Sequence, residues 1–230
     1  MGLLHSRLVR RLRPGIGATL ATIAPFREAW ERSNADDRDG DGPLWLALGD
    51  STAQGIGAPA YDRGFVGQLR DRLEARDGQR WRVVNASVSG ARMRDVLPQL
   101  HWLDELPARP DLVTCTAGSN DLAWRLGLRR IERDLERLLA ALPGGTVVAT
   151  MPRGLGERRT EALNARVRRE APARGLVVAD VWAHTGPPWS GKLAADGFHP
   201  SERGYRAWTA AFAAALGLPA DAEPDATGGR

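Results

Sequence analysis

The sequence predicts an α/β fold in three layers, with a central, mostly parallel sheet of about five strands covered by helices on both faces. From residue 44 onward, short apolar runs alternate with segments of helical periodicity, as in a parallel sheet joined by crossover helices. The first run, residues 44–48, is apolar without interruption, which is typical of a strand buried on both faces. A length of 230 residues suits a single domain of this class.

Each element is predicted from its own pattern. Strands are expected at residues 44–48, 81–84, 111–117, 146–150 and 176–181. A helix follows the first strand, with Phe65, Leu69 and Leu73 on one face, and the region 93–103 is expected to be a helix kinked at Pro98. Ile131, Leu135, Leu138 and Leu142 mark the clearest helical face. Further helices are expected at 157–170 and 205–216.

The predicted domain covers residues 44–218, between two segments of different character. Residues 1–43 form a basic helical segment that docks on the domain and ends in a polar linker at 33–43, and residues 219–230 form a disordered tail. Arg7, Arg10, Arg11 and Arg13 are compatible with weak contact to an anionic membrane surface. Without a convincing signal-peptide cleavage site, we expect a cytoplasmic protein. The sequence leaves the oligomeric state open.

The charge pattern argues against a nucleic-acid partner. Lys and Arg total 32 against 28 Asp and Glu, and nearly all the positive charge is arginine because Lys192 is the single lysine. The arginines are interleaved with acidic residues, as at 70–74 and 131–134, and do not form a basic stripe. We therefore expect these charges to lie on solvated helix faces.

Four polar blocks fall after predicted strands: residues 49–52, 89–90, 118–121 and 196–200. Ligands of open parallel sheets bind beyond the carboxyl ends of the strands, so the four blocks are expected to meet at one rim. There, Ser51 is a candidate nucleophile, His199 its base, and Asp196 the group that orients the imidazole. Candidate oxyanion donors are the backbone N–H groups of Ser51 and Gly90 and the side-chain amide of Asn120.

These blocks resemble those of the SGNH/GDSL hydrolase family. Gly49-Asp50-Ser51 matches its Gly-Asp-Ser block, the segment ending at Gly90 matches its glycine block, residues 118–121 match Gly-x-Asn-Asp, and 196–200 match Asp-x-x-His-Pro. The resemblance implies a flavodoxin-like fold and hydrolysis of a small-molecule carboxylic ester or thioester through an acyl-Ser51 intermediate. It also implies that no metal or other cofactor takes part.

Other residues receive more ordinary interpretations. Asp50 and Asp121 are expected to organise loops, since a carboxylate is a poor neighbour for an oxyanion. Most tryptophans are expected in the core, whereas Trp124 and Trp189, which lie near the catalytic blocks in sequence, are candidates to line the substrate pocket.

Three rival functions remain open at this stage. A metallophosphatase is disfavoured because the chain lacks an Asp-x-His pair and has only four histidines. An acyltransferase would use the same site, and a binding module would keep the fold without activity.

Overall fold

The computed structural model describes residues 14–123 and 126–220. Most of the predicted basic segment is therefore described, but its first 13 residues are not, and neither is the predicted tail from residue 221 onward. Trp124, a candidate pocket residue, also lies outside the described residues.

Five strands form one parallel sheet in the order β2-β1-β3-β4-β5. They are β1 (Leu44–Gly49), β2 (Arg82–Asn85), β3 (Leu112–Thr116), β4 (Val147–Ala149) and β5 (Val177–Ala179). The central pair is in register, with Trp45 opposite Leu112 and Gly49 opposite Thr116. The predicted α/β class, strand number and flavodoxin-like order are confirmed.

Helices cover both faces of this sheet. They are α1 (Pro14–Ala21), α2 (Ile23–Arg38), α3 (Phe65–Asp77), α4 (Met93–Val96), α5 (Trp102–Glu105), α6 (Ser119–Ala123), α7 (Leu128–Ala141), α8 (Glu157–Glu170), α9 (Val181–His184) and α10 (Glu202–Ala215). Short 3₁₀ turns lie at Tyr61–Arg63, Leu97–His101 and Pro172–Arg174. Within the described ranges, no helix combines the length and apolar composition needed to cross a membrane.

The alternation of β1 side chains explains its uninterrupted apolar sequence. Leu44, Leu46 and Leu48 belong to one apolar cluster, together with residues of α7 and α8. Trp45 and Ala47 point to the opposite face and belong to a second cluster, with residues of α3 and α10. Because successive side chains leave a strand on opposite sides, a central strand with helices on both faces must be apolar at every position.

Two predicted elements are shorter than expected, for local reasons. The region 93–103 is divided into α4, a 3₁₀ turn and α5, since Pro98 has no N–H to continue a helix. Strand β5 ends at Ala179 because Asp180 caps the next helix, its side chain accepting a hydrogen bond from the Ala183 N–H at 3.3 Å. Val181, predicted to be in the strand, is therefore the first residue of α9.

The predicted linker is wrong for residues 33–38, which are the last turns of α2. Asn34 and Asp37 are buried there against the edge strand β2. The Asn34 side chain accepts a hydrogen bond from the Asn85 N–H at 2.8 Å and donates one to the Asn85 carbonyl at 2.9 Å. Asp37 accepts from the Val83 N–H at 3.1 Å. The helix thus satisfies edge groups that would otherwise be unpaired.

We predict that Asn34→Ala lowers the free energy of unfolding by about 2–3 kcal/mol, because it leaves two buried backbone groups of Asn85 without partners. Chemical denaturation measures the change. Asp36→Ala, at an exposed position of the same helix, is the matched control and is expected to change stability by less than about 0.5 kcal/mol. Equal effects of the two substitutions would contradict the edge-pairing role.

Candidate active site

Ser51 lies in the tight turn that follows β1. The Asp50 carbonyl accepts from the Ala53 N–H at 3.1 Å, and the Ser51 carbonyl accepts from the Ile56 N–H at 3.0 Å. The turn starts at Gly49, whose φ of +146° and close approach to Thr116 leave no space for a Cβ atom. No helix begins at this turn, so Ser51 is not a helix cap.

The loop before α10 places a histidine and a carboxylate beside this serine. His199 Nε2 lies 2.9 Å from Ser51 Oγ, and His199 Nδ1 lies 2.6 Å from Asp196 Oδ2. The second carboxylate oxygen of Asp196 accepts from the backbone N–H groups of Phe198 and His199 at 2.9 and 3.0 Å. Asp196 therefore fixes both the imidazole and the backbone that carries it.

Two contacts hold the turn that contains Ser51, called the serine turn below, against the loop at residues 196–200, called the histidine loop. Gly57 adopts a φ of +100°, and a Cβ there would lie 2.4 Å from the Pro200 carbonyl oxygen and 2.9 Å from His199 Cβ. The hydroxyl of Tyr205, in the first turns of α10, donates to the Ile56 carbonyl at 2.7 Å. Together they bring residues 148 positions apart into hydrogen-bonding distance.

The environment of Asp196 favours its charged form. Burial acts to raise the pKa of this carboxyl, but the hydrogen bond with His199 and those from the Phe198 and His199 N–H groups outweigh it, so the pKa lies below its ordinary value. An ionised Asp196 is an acceptor for a proton on Nδ1, and in this orientation Nε2 of His199 faces the Ser51 hydroxyl.

The candidate oxyanion donors are the backbone N–H groups of Ser51 and Gly90 and the side-chain amide of Asn120. Within the described residues, the backbone N–H groups of Ser51 and Gly90 donate to no protein acceptor. Asn120 Nδ2 lies 2.9 Å from the Ala91 carbonyl and 3.4 Å from Asp50 Oδ2. The second contact is long for a hydrogen bond, so one amide hydrogen of Asn120 is weakly held and available to an oxyanion.

The chain is also similar to known proteins, both in sequence and in fold. Residues 47–207, well over half of the chain, match the model of the GDSL-like Lipase/Acylhydrolase family. The chain belongs to this family. It is accordingly an ester hydrolase, and the resemblance of its four sequence blocks is explained.

Individual relatives share the whole hydrolase domain. The spore germination lipase LipC of Bacillus licheniformis is 24% identical, over 74% of this chain and 95% of the lipase. The crystal structure of TesA is 26% identical with a TM-score of 0.63, covering 75% of this chain and 97% of TesA. The acetylxylan esterase Axe2 of Geobacillus stearothermophilus shares the fold, with 22% identity, a TM-score of 0.57, and coverage of 79% and 97%.

A cavity of about 280 Å³ adjoins His199 in this GDSL-like hydrolase. The exposed side chains of Trp189, Leu193 and Phe198 form part of its wall, so the structure places Trp189 at the pocket. Sequence analysis missed Arg153 and its neighbours Gly154 and Leu155, which line the same cavity. They follow β4, and the strand-end rule that identified the other blocks would have found them.

Sequence analysis also missed Gln54, which fixes the loop that carries Gly90. Its amide donates to the Ser87 carbonyl at 2.8 Å and accepts from the Ser89 hydroxyl at 2.6 Å. Gln54 is itself buried in the serine turn. The position of the Gly90 N–H relative to Ser51 therefore depends on a side chain three residues beyond the serine.

A cysteine nucleophile and a metal centre are the two other kinds of reactive site to consider. Cys115 is buried in β3, and burial raises the pKa of its thiol to about 12, so it is protonated at neutral pH. Across residues 14–123 and 126–220, no group of three or more His, Cys, Asp or Glu side chains is arranged to hold a metal ion.

Asp50, in the serine turn, and Asp121, in the short helix α6, are both buried carboxylates. Asp50 accepts from the Thr52 N–H at 2.9 Å and the Thr52 hydroxyl at 2.7 Å, and burial raises its pKa. Asp121 Oδ2 accepts from the Met93 N–H at 3.0 Å, which ties the Asn120 block to the loop following Gly90. Its other oxygen has no hydrogen-bond partner among the described residues, and burial raises the Asp121 pKa to about 6.

The raised Asp121 pKa predicts a pH-dependent stability. Because the folded protein binds this proton more tightly than the unfolded chain, the contribution is fully present below about pH 4 and is lost as the pH rises through 6. Asp121→Asn keeps an acceptor for the Met93 N–H without the charge. We therefore expect the free energy of unfolding of Asp121→Asn, relative to that of wild type, to increase by on the order of 2 kcal/mol from pH 4.5 to pH 8.

Denaturant unfolding at both pH values measures this difference. Asp111→Asn is the matched control, since Asp111 also accepts a backbone N–H, that of Leu44 at 2.9 Å, but lies at the surface. A stability difference between wild type and Asp121→Asn that stays constant from pH 4.5 to 8 would show that Asp121 ionises normally in the fold.

Proposed function

We propose that this enzyme cleaves carboxylic esters or thioesters by covalent catalysis at Ser51. The observation that carries the proposal is the hydrogen-bonded sequence Asp196–His199–Ser51, with heavy-atom distances of 2.6 and 2.9 Å. A serine hydroxyl is a weak nucleophile at neutral pH, and a histidine held in this orientation is the group that activates it.

In the first step, Ser51 Oγ attacks the carbonyl carbon while His199 Nε2 takes the hydroxyl proton. The resulting tetrahedral oxyanion is stabilised by the N–H groups of Ser51 and Gly90 and by the Asn120 amide. The bond to the leaving oxygen or sulfur then breaks, and His199 returns the proton to the leaving group. An ester between the acyl group and Ser51 remains.

In the second step, water attacks the acyl-Ser51 carbonyl and His199 takes a proton from it. The tetrahedral intermediate collapses, the carboxylic acid leaves, and Ser51 Oγ recovers its proton from His199. The charged Asp196 stabilises the imidazolium that forms in both steps. Protons move only among Ser51, His199, water and the leaving group, and the enzyme returns to its starting state.

The relatives support an ester substrate without identifying a single acid or alcohol. LipC is described as a lipase and Axe2 as an acetylxylan esterase, and the two names share only the carboxylic ester bond. In this chain the cavity of about 280 Å³ lies near the lower end of typical ligand pockets. Its size favours a small to medium substrate.

The first test is labelling with a fluorophosphonate, which reacts with activated serines. We predict stoichiometric modification of wild type at Ser51, located by peptide mass spectrometry, and none of Ser51→Ala. Ser201→Ala is the matched control, because Ser201 caps α10 outside the site and its removal should leave labelling intact. A well-folded wild type that is not labelled would favour a binding module on the same fold.

A second test concerns the oxyanion. Asn120→Ala is expected to lower kcat for a nitrophenyl ester by on the order of 10²-fold, because a donor to the transition-state oxyanion is lost. Asn164→Ala is the control: Asn164 is another buried amide, and its hydrogen bonds go to the Met151 backbone and not to Ser51, His199 or Asp196. With native circular dichroism in both variants, unchanged turnover by Asn120→Ala would remove Asn120 from the oxyanion site.

A further inference from the structure

Among the described residues, the cavity beside His199 is lined by basic side chains without acidic ones. Besides His199 and its apolar wall, its lining includes two permanently cationic side chains, Arg153 and Lys192, and no carboxylate among the residues that the structure describes. Elsewhere on the molecule, positive charges are interleaved with acidic partners, as in the ion pairs between Arg166 and Glu170 and between Arg168 and Asp180. The described lining of the cavity contains no comparable acidic side chain.

Lys192 is the clearest element of this basic lining. It is the single lysine among 32 basic residues, and its half-buried ammonium donates to the Gly186 carbonyl at 2.9 Å. It forms no ion pair with a described residue. An ammonium has three donors, so two of them remain for a ligand. Partial burial without a counter-charge reduces the hydration of this cation, and a bound anion would offset that loss.

Arg153 is held in place on the other side of Gly186. Its guanidinium carbon lies 4.5 Å from the centre of the Trp182 ring, and Nε donates to the Trp182 carbonyl at 3.3 Å. The Arg153 Cδ lies 3.1 Å from the point where a Cβ on Gly186 would be. Its acidic neighbour, Glu157, is 3.7 Å away and largely exposed, so it neutralises the guanidinium weakly.

The position of His199 indicates which part of a substrate would meet these cations. Under the proposed mechanism, His199 must give its proton to the leaving oxygen or sulfur, so the leaving group departs on the side of the imidazole. Most of the cavity lies on that side, because its lining includes His199 and the residues around it at 197–200, whereas only Thr52 and Ser119 come from the serine and Asn120 blocks. Arg153 and Lys192 are therefore placed toward the leaving group.

We propose that the preferred substrates are esters or thioesters whose alcohol or thiol portion carries an anionic group, bound by Lys192 and Arg153. Carboxylate, phosphate and sulfate share the required chemistry. The apolar wall formed by Trp189, Leu193 and Phe198 would contact the carbon skeleton between that anion and the scissile bond. This inference rests on the proposed function, since it takes the direction of the leaving group from it.

The test compares 4-acetoxybenzoate, which carries a carboxylate on its leaving phenol, with its neutral methyl ester. For wild type we expect a higher kcat/KM with the anion. In Lys192→Met the anionic-to-neutral ratio of kcat/KM should fall about tenfold, as expected for loss of one charge-assisted hydrogen bond at a half-buried site. Lys192→Arg should keep the ratio within about threefold of wild type, because the charge is retained.

Arg129→Met is the matched control, since Arg129 is an exposed cation outside the cavity, and its ratio should equal that of wild type. A second pair, the mono-(4-nitrophenyl) ester of glutaric acid and 4-nitrophenyl pentanoate, places the anion on the acyl side. A Lys192-dependent ratio for this pair alone would overturn the assignment to the leaving group. Ratios unchanged in Lys192→Met for both pairs would overturn the anion site itself.

Fluorophosphonate labelling of each variant separates this inference from the proposed function. Protein that is labelled at Ser51 but shows no charge preference contradicts the anion site and leaves the serine mechanism intact. Protein that is folded but not labelled at Ser51 contradicts the serine mechanism and the inference that rests on it.

Discussion

The parallel pairing of β1 with β3 is the constraint on which the site depends. It ends at Gly49 and Thr116, where the backbones approach so closely that a Cβ on Gly49 would lie 2.4 Å from the Thr116 carbonyl oxygen. Both strands therefore release their chains at the same edge of the sheet. Ser51 and Asn120 follow within four residues of these strand ends, so the pairing of the strands already brings the two residues near each other.

The histidine side of the site is organised differently, by short-range contacts. Asp196 and His199 are three residues apart and are bonded through both side chain and backbone, so this pair is a nearly self-contained unit. The close packing at Gly57 and the hydrogen bond from the Tyr205 hydroxyl bring it to the serine. The two halves of the site thus have separate origins, one in sheet pairing and the other in the docking of a loop and the helix that follows it.

The separate origins of the two halves of the site explain which features the sequence could predict. The strands, the order of the layers and the four polar blocks were predictable because apolar periodicity and strand-end position are local properties. Residues 33–38 were mistaken for a linker because the polar Asn34 and Asp37 are buried by partners on β2, about 50 residues away. Gln54 was missed for the same reason, because its partners Ser87 and Ser89 lie more than 30 residues away. Arg153 is different: it follows β4, and its position after a strand could have identified it.

The distance between the two halves along the chain has a consequence for synthesis. Ser51 precedes His199 by 148 residues, so it leaves the ribosome while its base is still untranslated. Until the loop at residues 196–200 has emerged and docked, Ser51 carries an ordinary hydroxyl. Under the proposed mechanism, the nascent chain does not react with cellular esters, and Ser51 becomes reactive only when this loop and the following helix α10 dock on the sheet.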